Sequence, residues 1–493
     1  MKPDKLSDAI GLVDEPLIEE ADRGRRVVHR GRQWWIQWVA IAACLCLIVA
    51  GVFSLPRLTP QSPTDPSAPS SSASTTTSAP PTTTTTGTRP VVSKAKLVSQ
   101  AVYPDRNKVS NWNSSYALRQ GNYTDSFSVY YQKVMTQFLL GNEGKNRVFS
   151  PANVFMSLSM LAETTDGHGR RQILELLGVD DMDALRKQAR LLWEANYEDD
   201  QHTASVLANS LWLNNNLWYK EDLLNTLSKH YYASSFSGKM GDSAYNTMLQ
   251  NWINEQTGGI LQDQVSGVQM NPSTVLNLVS TIYFGARWVD EFDPNLTEQG
   301  VFHTANGDVS CEFMQYADRD MKKVFIGEGC KALSIQLGSY SMYFFLPDEG
   351  VSVNEVIQNN NLFDVMHNSL NDDVDGGFWD VKLCVPKFDV SGDVDLKSGL
   401  QELGVTDVFD STKADFSPML VEADGIAVSS VQHAARVTID EEGCTAAAFS
   451  RTDYGMGAPE SNGPLDFILD RPFVFCIADG FESVLFAGVV EQP

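Results

Sequence analysis

The chain has 493 residues, more than one hydrophobic core sustains, since cores stop growing near ~250–300 residues; a large body with appended segments is expected. Hydrophobic residues make up 43% of it, enough for a sizeable core, and the formal charge is −25. A surface that acidic repels phosphate and sulfate chains, so neither nucleic acid nor a heparin-like polyanion is expected as a partner.

The first 33 residues hold seven Lys/Arg against seven Asp/Glu, so the acidic excess lies downstream of them. They end in a basic cluster of Arg23, Arg25, Arg26, His29, Arg30 and Arg32. The next run, Trp34 to Leu55, is apolar, with Gln37 its only strongly polar member. As a helix it would reach about 33 Å, against a hydrocarbon layer of about 30 Å. Trp34, Trp35 and Trp38 suit the interfacial belt, and the arginines before them predict a cytoplasmic N-terminus. Residues 1–33 thus read as a cytoplasmic tail and 34–55 as a single-pass signal anchor, with the rest of the chain outside the cell. A cleaved signal peptide would have a shorter apolar core and a clear small-residue cleavage site. Ile41-Ala42-Ala43-Cys44 loosely matches a lipoprotein cleavage box, but the apolar run continues to Leu55, where a lipidated terminus should turn polar.

From Pro56 to about Pro90 the chain is almost wholly Pro, Ser, Thr and Ala. Such a composition cannot offset the entropy of ordering, so residues 56–106 are expected to be a disordered stalk and 107–493 the folded domain, with order returning between Lys94 and Tyr116. Ser126–Leu140 and Val154–Ala162 carry helical spacing; the second follows a Ser-Pro start. Thr274–Phe284 is rich in β-branched residues and predicts a buried strand, as do Ser341–Leu346, Val381–Val385, Val431–Ile439, Phe473–Ala478 and Val484–Val489. Helices and strands in mixed order, with long non-local pairings, indicate an α+β domain.

Chemistry-bearing motifs are absent. No GxSxG, HExxH, GxxxxGK[ST] or post-strand GxGxxG occurs, and none of the seven histidines has metal-pair spacing. His303 and His433 sit in strand-like contexts and read as hydrogen-bonded structural histidines. Asn371-x-Asp373-x-Asp375-Gly376 opens like a calcium loop, but Lys382 stands where such a loop needs its bidentate Glu, so an acidic turn is the better reading. Of seven cysteines, Cys44 and Cys46 lie in the apolar run, and the other five are scattered with no zinc spacing; a single bridge such as Cys311–Cys330 stays open. No metal, cofactor or catalytic residue is expected.

Several segments, in order, resemble the serpin family from about Tyr116 to Pro493. Asn146–Met160 (NRVFSPANVFMSLSM) is similar to the segment that starts a helix beneath the family's main sheet. Trp252–Ile260 (WINEQTGGI) resembles its W-x-x-x-Q-T-x-G-x-I signature. Leu278–Phe292 resembles the strand ending in a tryptophan, here Trp288, at the top of that sheet. Val385–Val408, Asp470–Val474 and Phe486–Val489 match further family segments. The resemblance implies a large mixed five-stranded main sheet, two smaller sheets, about nine helices and an exposed reactive-centre loop.

Ile439–Phe449 (IDEEGCTAAAF) resembles the hinge of inhibitory members, with Glu441, Glu442, Gly443, Cys444, Thr445, Ala446, Ala447 and Ala448 in the hinge positions. Cys444 stands where Thr or Ser is usual. Ser150, Asn153, Ser280, Trp288 and His433 fall in the region where the sheet opens; Asn153 and Ser280 look like a reciprocal exchange of the family's usual Ser and Asn. The residues have their own logic. A loop that enters a sheet must lack proline, and none occurs from Thr438 through Ala458. Alternation puts Cys444, Ala446, Ala448, Ser450, Thr452, Tyr454 and Met456 on one uncharged face, with Arg451 and Asp453 on the other.

The implied function is suicide-substrate inhibition of extracellular serine, or cysteine, proteases through a covalent complex, by a chain expected to be a monomer. Counting from Glu441 places the reactive bond at Gly457–Ala458. A hinge one residue shorter gives Met456–Gly457, and counting back from Pro472 points near Ser461. Gly457 or Met456 before the bond suits elastase- or subtilisin-like pockets. The alternative is a non-inhibitory member acting as a surface binding or adhesion module.

Overall fold

The computed structural model describes residues 94–105, 109, 111–121, 123–141, 144–199, 203–360, 362–368, 376–422, 425–429, 431–444, 460–479 and 483–493. The expected tail, the Trp34–Leu55 anchor, the stalk up to residue 93, the Asn371–Asp375 turn and the bait residues from Thr445, including Met456, Gly457 and Ala458, lie outside them. Among the described residues no helix is long and apolar enough to cross a membrane.

The chain opens with β1 (Lys96–Ser99), α1 (Asn111–Gln120) and α2 (Thr124–Leu139). On α2, Phe127, Tyr130, Tyr131, Val134 and Met135 recur at helical spacing and are all buried. After β2 (Arg147–Phe149), the Ser150 hydroxyl accepts the Asn153 N–H and Pro151 occupies the first turn, which together start α3 (Pro151–Thr164). Then come α4 (Gly167–Leu177), α5 (Met182–Ala195), β3 (Glu198–Asp199), β4 (Thr203–Asn214), α6 (Glu221–Tyr231), β5 (Ala233–Gly238), α7 (Ser243–Gln256), α8 (Gln262–Val265) and β6 (Leu276–Arg287). A strand-rich stretch follows: β7 (Glu298–Thr304), β8 (Gly307–Gln315), β9 (Asp320–Gly327), β10 (Cys330–Leu337) and β11 (Tyr340–Pro347). The chain continues through α9 (Val353–Asn359), α10 (Leu362–Asn368), β12 (Gly376–Pro386), β13 (Phe388–Asp395), α11 (Lys397–Glu402), β14 (Gln432–Ile439) and β15 (Gly443–Cys444). It ends with β16 (Pro464–Ile468), β17 (Phe473–Asp479) and β18 (Val484–Val490).

The strands β5, β4, β6, β14 and β13 make up the mixed main sheet. β4 and β6 pair from Thr203↔Ala286 to Leu213↔Leu276, and β13 pairs β14 from Phe388↔Ile439 to Asp395↔Gln432. Among the described residues β6 pairs with β4 and β15 and β14 with β13, so the sheet is parted between β6 and β14. We call the Arg287 end of β6 the head and the Leu276 end the foot. Helix α3 packs beneath β6 and β18, and α7 covers the other face of β4 through Trp212, Tyr245 and Leu249. Burying each such side chain stabilises by roughly 1.5–3 kcal/mol. The two further sheets run together as one ten-stranded sheet in the order β2-β18-β17-β11-β10-β9-β12-β8-β7, with β16 on β12.

Three expectations change. Eleven α-helices occur among the described residues, against about nine expected; α8, α10 and α11 are each too short to show a helical period. The stalk does not extend to residue 106: β1 adds an edge strand antiparallel to β5, and Tyr103 packs against Trp193, with ring centroids 5.2 Å apart. Cys311 and Cys330 are free thiols. Their strands, β8 and β10, are separated by β12 and β9, about 14 Å across the sheet, twice what a disulfide can span.

Candidate functional site

The head of the parted sheet is built around Asp440, just past β14. Its carboxylate accepts the N–H groups of Glu442 (2.9 Å) and Gly443 (3.2 Å), turning the chain back on itself. Gly443 has φ +139°, and a Cβ there would sit 2.3 Å from the Ala286 carbonyl oxygen. Only glycine fits so close to the β6 backbone. The turn delivers Gly443 opposite Arg287 and Cys444 opposite Ala286, antiparallel to β6. Trp288 closes the head: its indole N–H donates to the Asp440 carbonyl (2.9 Å) and its backbone N–H to the Glu442 carbonyl (3.2 Å).

Two ion pairs hold the hinge down. Lys387 Nζ lies 2.8 Å from Glu441 Oε1, which also accepts the Thr297 hydroxyl at 2.7 Å. Burial works to raise the Glu441 carboxyl, but the hydrogen bonds from Lys387 and Thr297 outweigh it and hold it below its ordinary value. Arg287 reaches Glu442 at 3.0 Å and Glu291 at 2.8 Å. Removing the cation with Lys387→Ala strands a largely buried Glu441 carboxylate, which should cost about 1–3 kcal/mol at neutral pH. The check is the urea midpoint of the intact protein, which should fall; an unchanged midpoint would mean that the pair contributes nothing.

Below Cys444 the parting continues as a small cleft, lined by Ile282 and Phe284 from β6, Ala434, Ala435 and Arg436 from β14, Thr257, Ile260 and Leu261, Phe486 and Cys444 itself. Cys444 is buried, and burial pushes its thiol up to about 12, so it behaves as a small apolar side chain. Among the described residues the facing edges of β6 and β14 make no ladder with each other.

Beneath the sheet lies a polar cluster. Ser150 N–H donates to His433 Nε2 at 2.9 Å, which makes that nitrogen an acceptor and the ring neutral. Burial lowers the His433 pKa to about 4. The Ser280 hydroxyl donates to Asn153 Oδ1 at 3.2 Å, while Asn153 Nδ2 is buried with no hydrogen-bond partner. The structure thus brings Ser150, Asn153, Ser280 and His433 together under the sheet, and places Trp288 apart at the head with Glu441, Glu442, Gly443 and Cys444. His303, by contrast, pairs with Asp308 on the surface. Sequence reading did not single out Lys387, Arg287, Thr297 and Asp440. The available signal was the uncompensated acidic pair Glu441–Glu442, which needs cations nearby. Among the described residues no group of acidic, His or Cys side chains could hold a metal ion.

The family model described as Serpin (serine protease inhibitor) matches residues 125–493. An uncharacterized serpin-like protein of Methanosarcina acetivorans is 28% identical over 366 residues, covering 72% of this chain and 83% of that protein. Human Serpin B9 is 27% identical over 382 residues, covering 76% and 99%. Among solved structures, the thermophilic serpin tengpin in its native state superposes with a TM-score of 0.66 at 22% identity, covering 81% of this chain and all of that one.

Proposed function

The chain belongs to the serpin family, whose members are mostly inhibitors rather than enzymes, and on that premise we propose that it traps serine proteases outside the cell by inserting its bait loop, held at the cell membrane by Trp34–Leu55. The observation that carries this reading is the parted sheet with Gly443–Cys444 seated at its head. Each further residue of the loop would pair one residue nearer the foot of β6. That register sets Ala446 opposite Phe284, Ala448 opposite Ile282, Ser450 opposite Ser280 and Met456 opposite Thr274. The inward set is uncharged and small at its leading end; Arg451 and Asp453 would face out.

The protease supplies the chemistry. Its serine oxygen attacks the Gly457 carbonyl, an ester bond forms as the Gly457–Ala458 amide breaks, and the proton leaves with the Ala458 amine. The freed arm from Thr445 to Gly457 then inserts, carrying the protease about 43 Å at ~3.3 Å per residue. Distortion of the protease's triad, which alone costs about 10⁴-fold in rate, stalls hydrolysis of the ester. Only proteases that acylate can be caught. Cleavage after Gly457 or Met456 suits elastase- or subtilisin-like pockets, and the protein acts as a monomer.

Insertion would also satisfy the lone Asn153 amide, since Ser450 arrives beside Ser280. Ser450→Ala should leave the intact protein unchanged and lower the stability of the loop-cleaved form by about 1–2 kcal/mol. Denaturant midpoints of both forms test it; an equal effect on both, or on neither, would contradict the register. The functional test is a panel of serine proteases mixed with the protein. An SDS-resistant complex and a released peptide starting at Ala458 or Gly457 are expected. Cleavage without a complex would instead mark a non-inhibitory member.

A further inference from the structure

The register between β15 and β6 also fixes where a trapped protease comes to rest. Gly443 faces Arg287 and Cys444 faces Ala286, so an arm ending at Gly457 stops beside Ser273, and one ending at Met456 beside Thr274. Both positions immediately precede β6 at its foot. The segment after β4 is fastened to this spot. Asn214 N–H donates to the Val275 carbonyl (3.1 Å), Asn214 Nδ2 to the Thr274 carbonyl (3.0 Å), and the Tyr219 hydroxyl to the Val275 carbonyl (2.5 Å). That segment carries Trp218, 64% exposed, whose carbonyl accepts the N–H of Val421, 68% exposed, at 3.2 Å. Trp193, Trp212 and Trp288 are buried, whereas Trp218 is exposed.

We propose that Trp218 and Val421 form a contact surface for the body of the trapped protease, the acyl-enzyme carried to the foot by the inserted arm. This rests on the inhibitory reading above. The occupant follows from the length of the undescribed arm and the place where it ends. A protease still engaging the bait at the head is about 40 Å away, at ~3.3 Å for each residue of the arm, and cannot touch this surface. The patch therefore acts only after insertion. Exposed tryptophan is the side chain that most often dominates protein interfaces. Here it would favour the displaced, distorted protease over its release.

The test compares the full chain with its Trp218→Ser/Val421→Ser variant against a protease that forms the covalent complex. Both side chains are exposed, so the unfolding midpoint of the intact variant should match the parent. The association rate constant should be unchanged, while active protease should escape from the complex roughly tenfold faster. Escape at the parent rate would overturn the proposal. A second measurement does not depend on the variant's fold: p-benzoylphenylalanine in place of Trp218 should photo-crosslink to the protease in the covalent complex and not to the same protease with its active serine blocked. A covalent complex without crosslinking would also overturn it. Failure of the parent chain to form any covalent complex would sink the inhibitory reading instead, a distinct result.

Discussion

Arginine in place of Ala446 should turn the inhibitor into a substrate. If the register set by Cys444 and Ala286 continues, residue 446 of the inserted arm would come opposite Phe284, into the cleft shared by Ile282 and Phe486. Burying an unpaired guanidinium there costs several kcal/mol, and no acid lines the cleft to compensate. Insertion would stop two residues past the seated hinge, and water would reach the acyl-enzyme first. The loop would still be cut at the parent rate, while the yield of covalent complex should fall at least about 100-fold, the fold-change that about 2.7 kcal/mol produces. Arg451 falls on the opposite parity, so its charge would not be buried by insertion. Undiminished trapping by Ala446→Arg would mean that the loop enters in another register or not at all.

The second large effect is acid lability centred on His433. Its ring is buried, accepts the Ser150 N–H, and has its pKa lowered to about 4. The unfolded chain takes up this proton near pH 6.5, well before the folded one does. Stability is therefore full above pH 6.5, falls as the pH drops toward 4, and is lost by about 3 kcal/mol overall. Glu441 acts in the same direction but lower. Its depressed carboxyl contributes stability above its unfolded value of about 4.3, which is lost only as the pH falls further. The interval from pH 6.5 to 5 thus separates the histidines from the carboxylates; His230, also held down by burial, and His303, raised by Asp308, titrate there with opposite signs, so the variant's change in slope identifies the His433 share. His433→Gln, which can still accept from Ser150, should flatten the urea midpoint across that interval. An unchanged slope would place the titrating group elsewhere.

Much of this was legible in the sequence, and the illegible parts share a cause. The run TVLNLVSTIYF announces β6 because β-branched and aromatic residues favour strands, although Leu276–Ser280 are half-buried rather than buried as expected, and the parity of the bait residues follows from strand geometry alone. The inward position of Cys444 agrees with that parity. Contacts across long sequence separations were not legible. Nothing local in Lys387 says that it will meet Glu441, or in KLVS that it will pair with β5. A four-residue strand has too few positions to show alternation. Helices α8, α10 and α11 were not legible either: they are single turns or little more, where tertiary packing rather than periodicity decides the conformation.

The most direct test of the central claim is thermal unfolding of the protein before and after a single cut in the bait loop. If the parting between β6 and β14 stores strain that the arm from Thr445 relieves, the cut protein, with both fragments retained, should unfold at a markedly higher temperature than the intact one. A cut form that melts at or below the temperature of the intact protein would contradict the account.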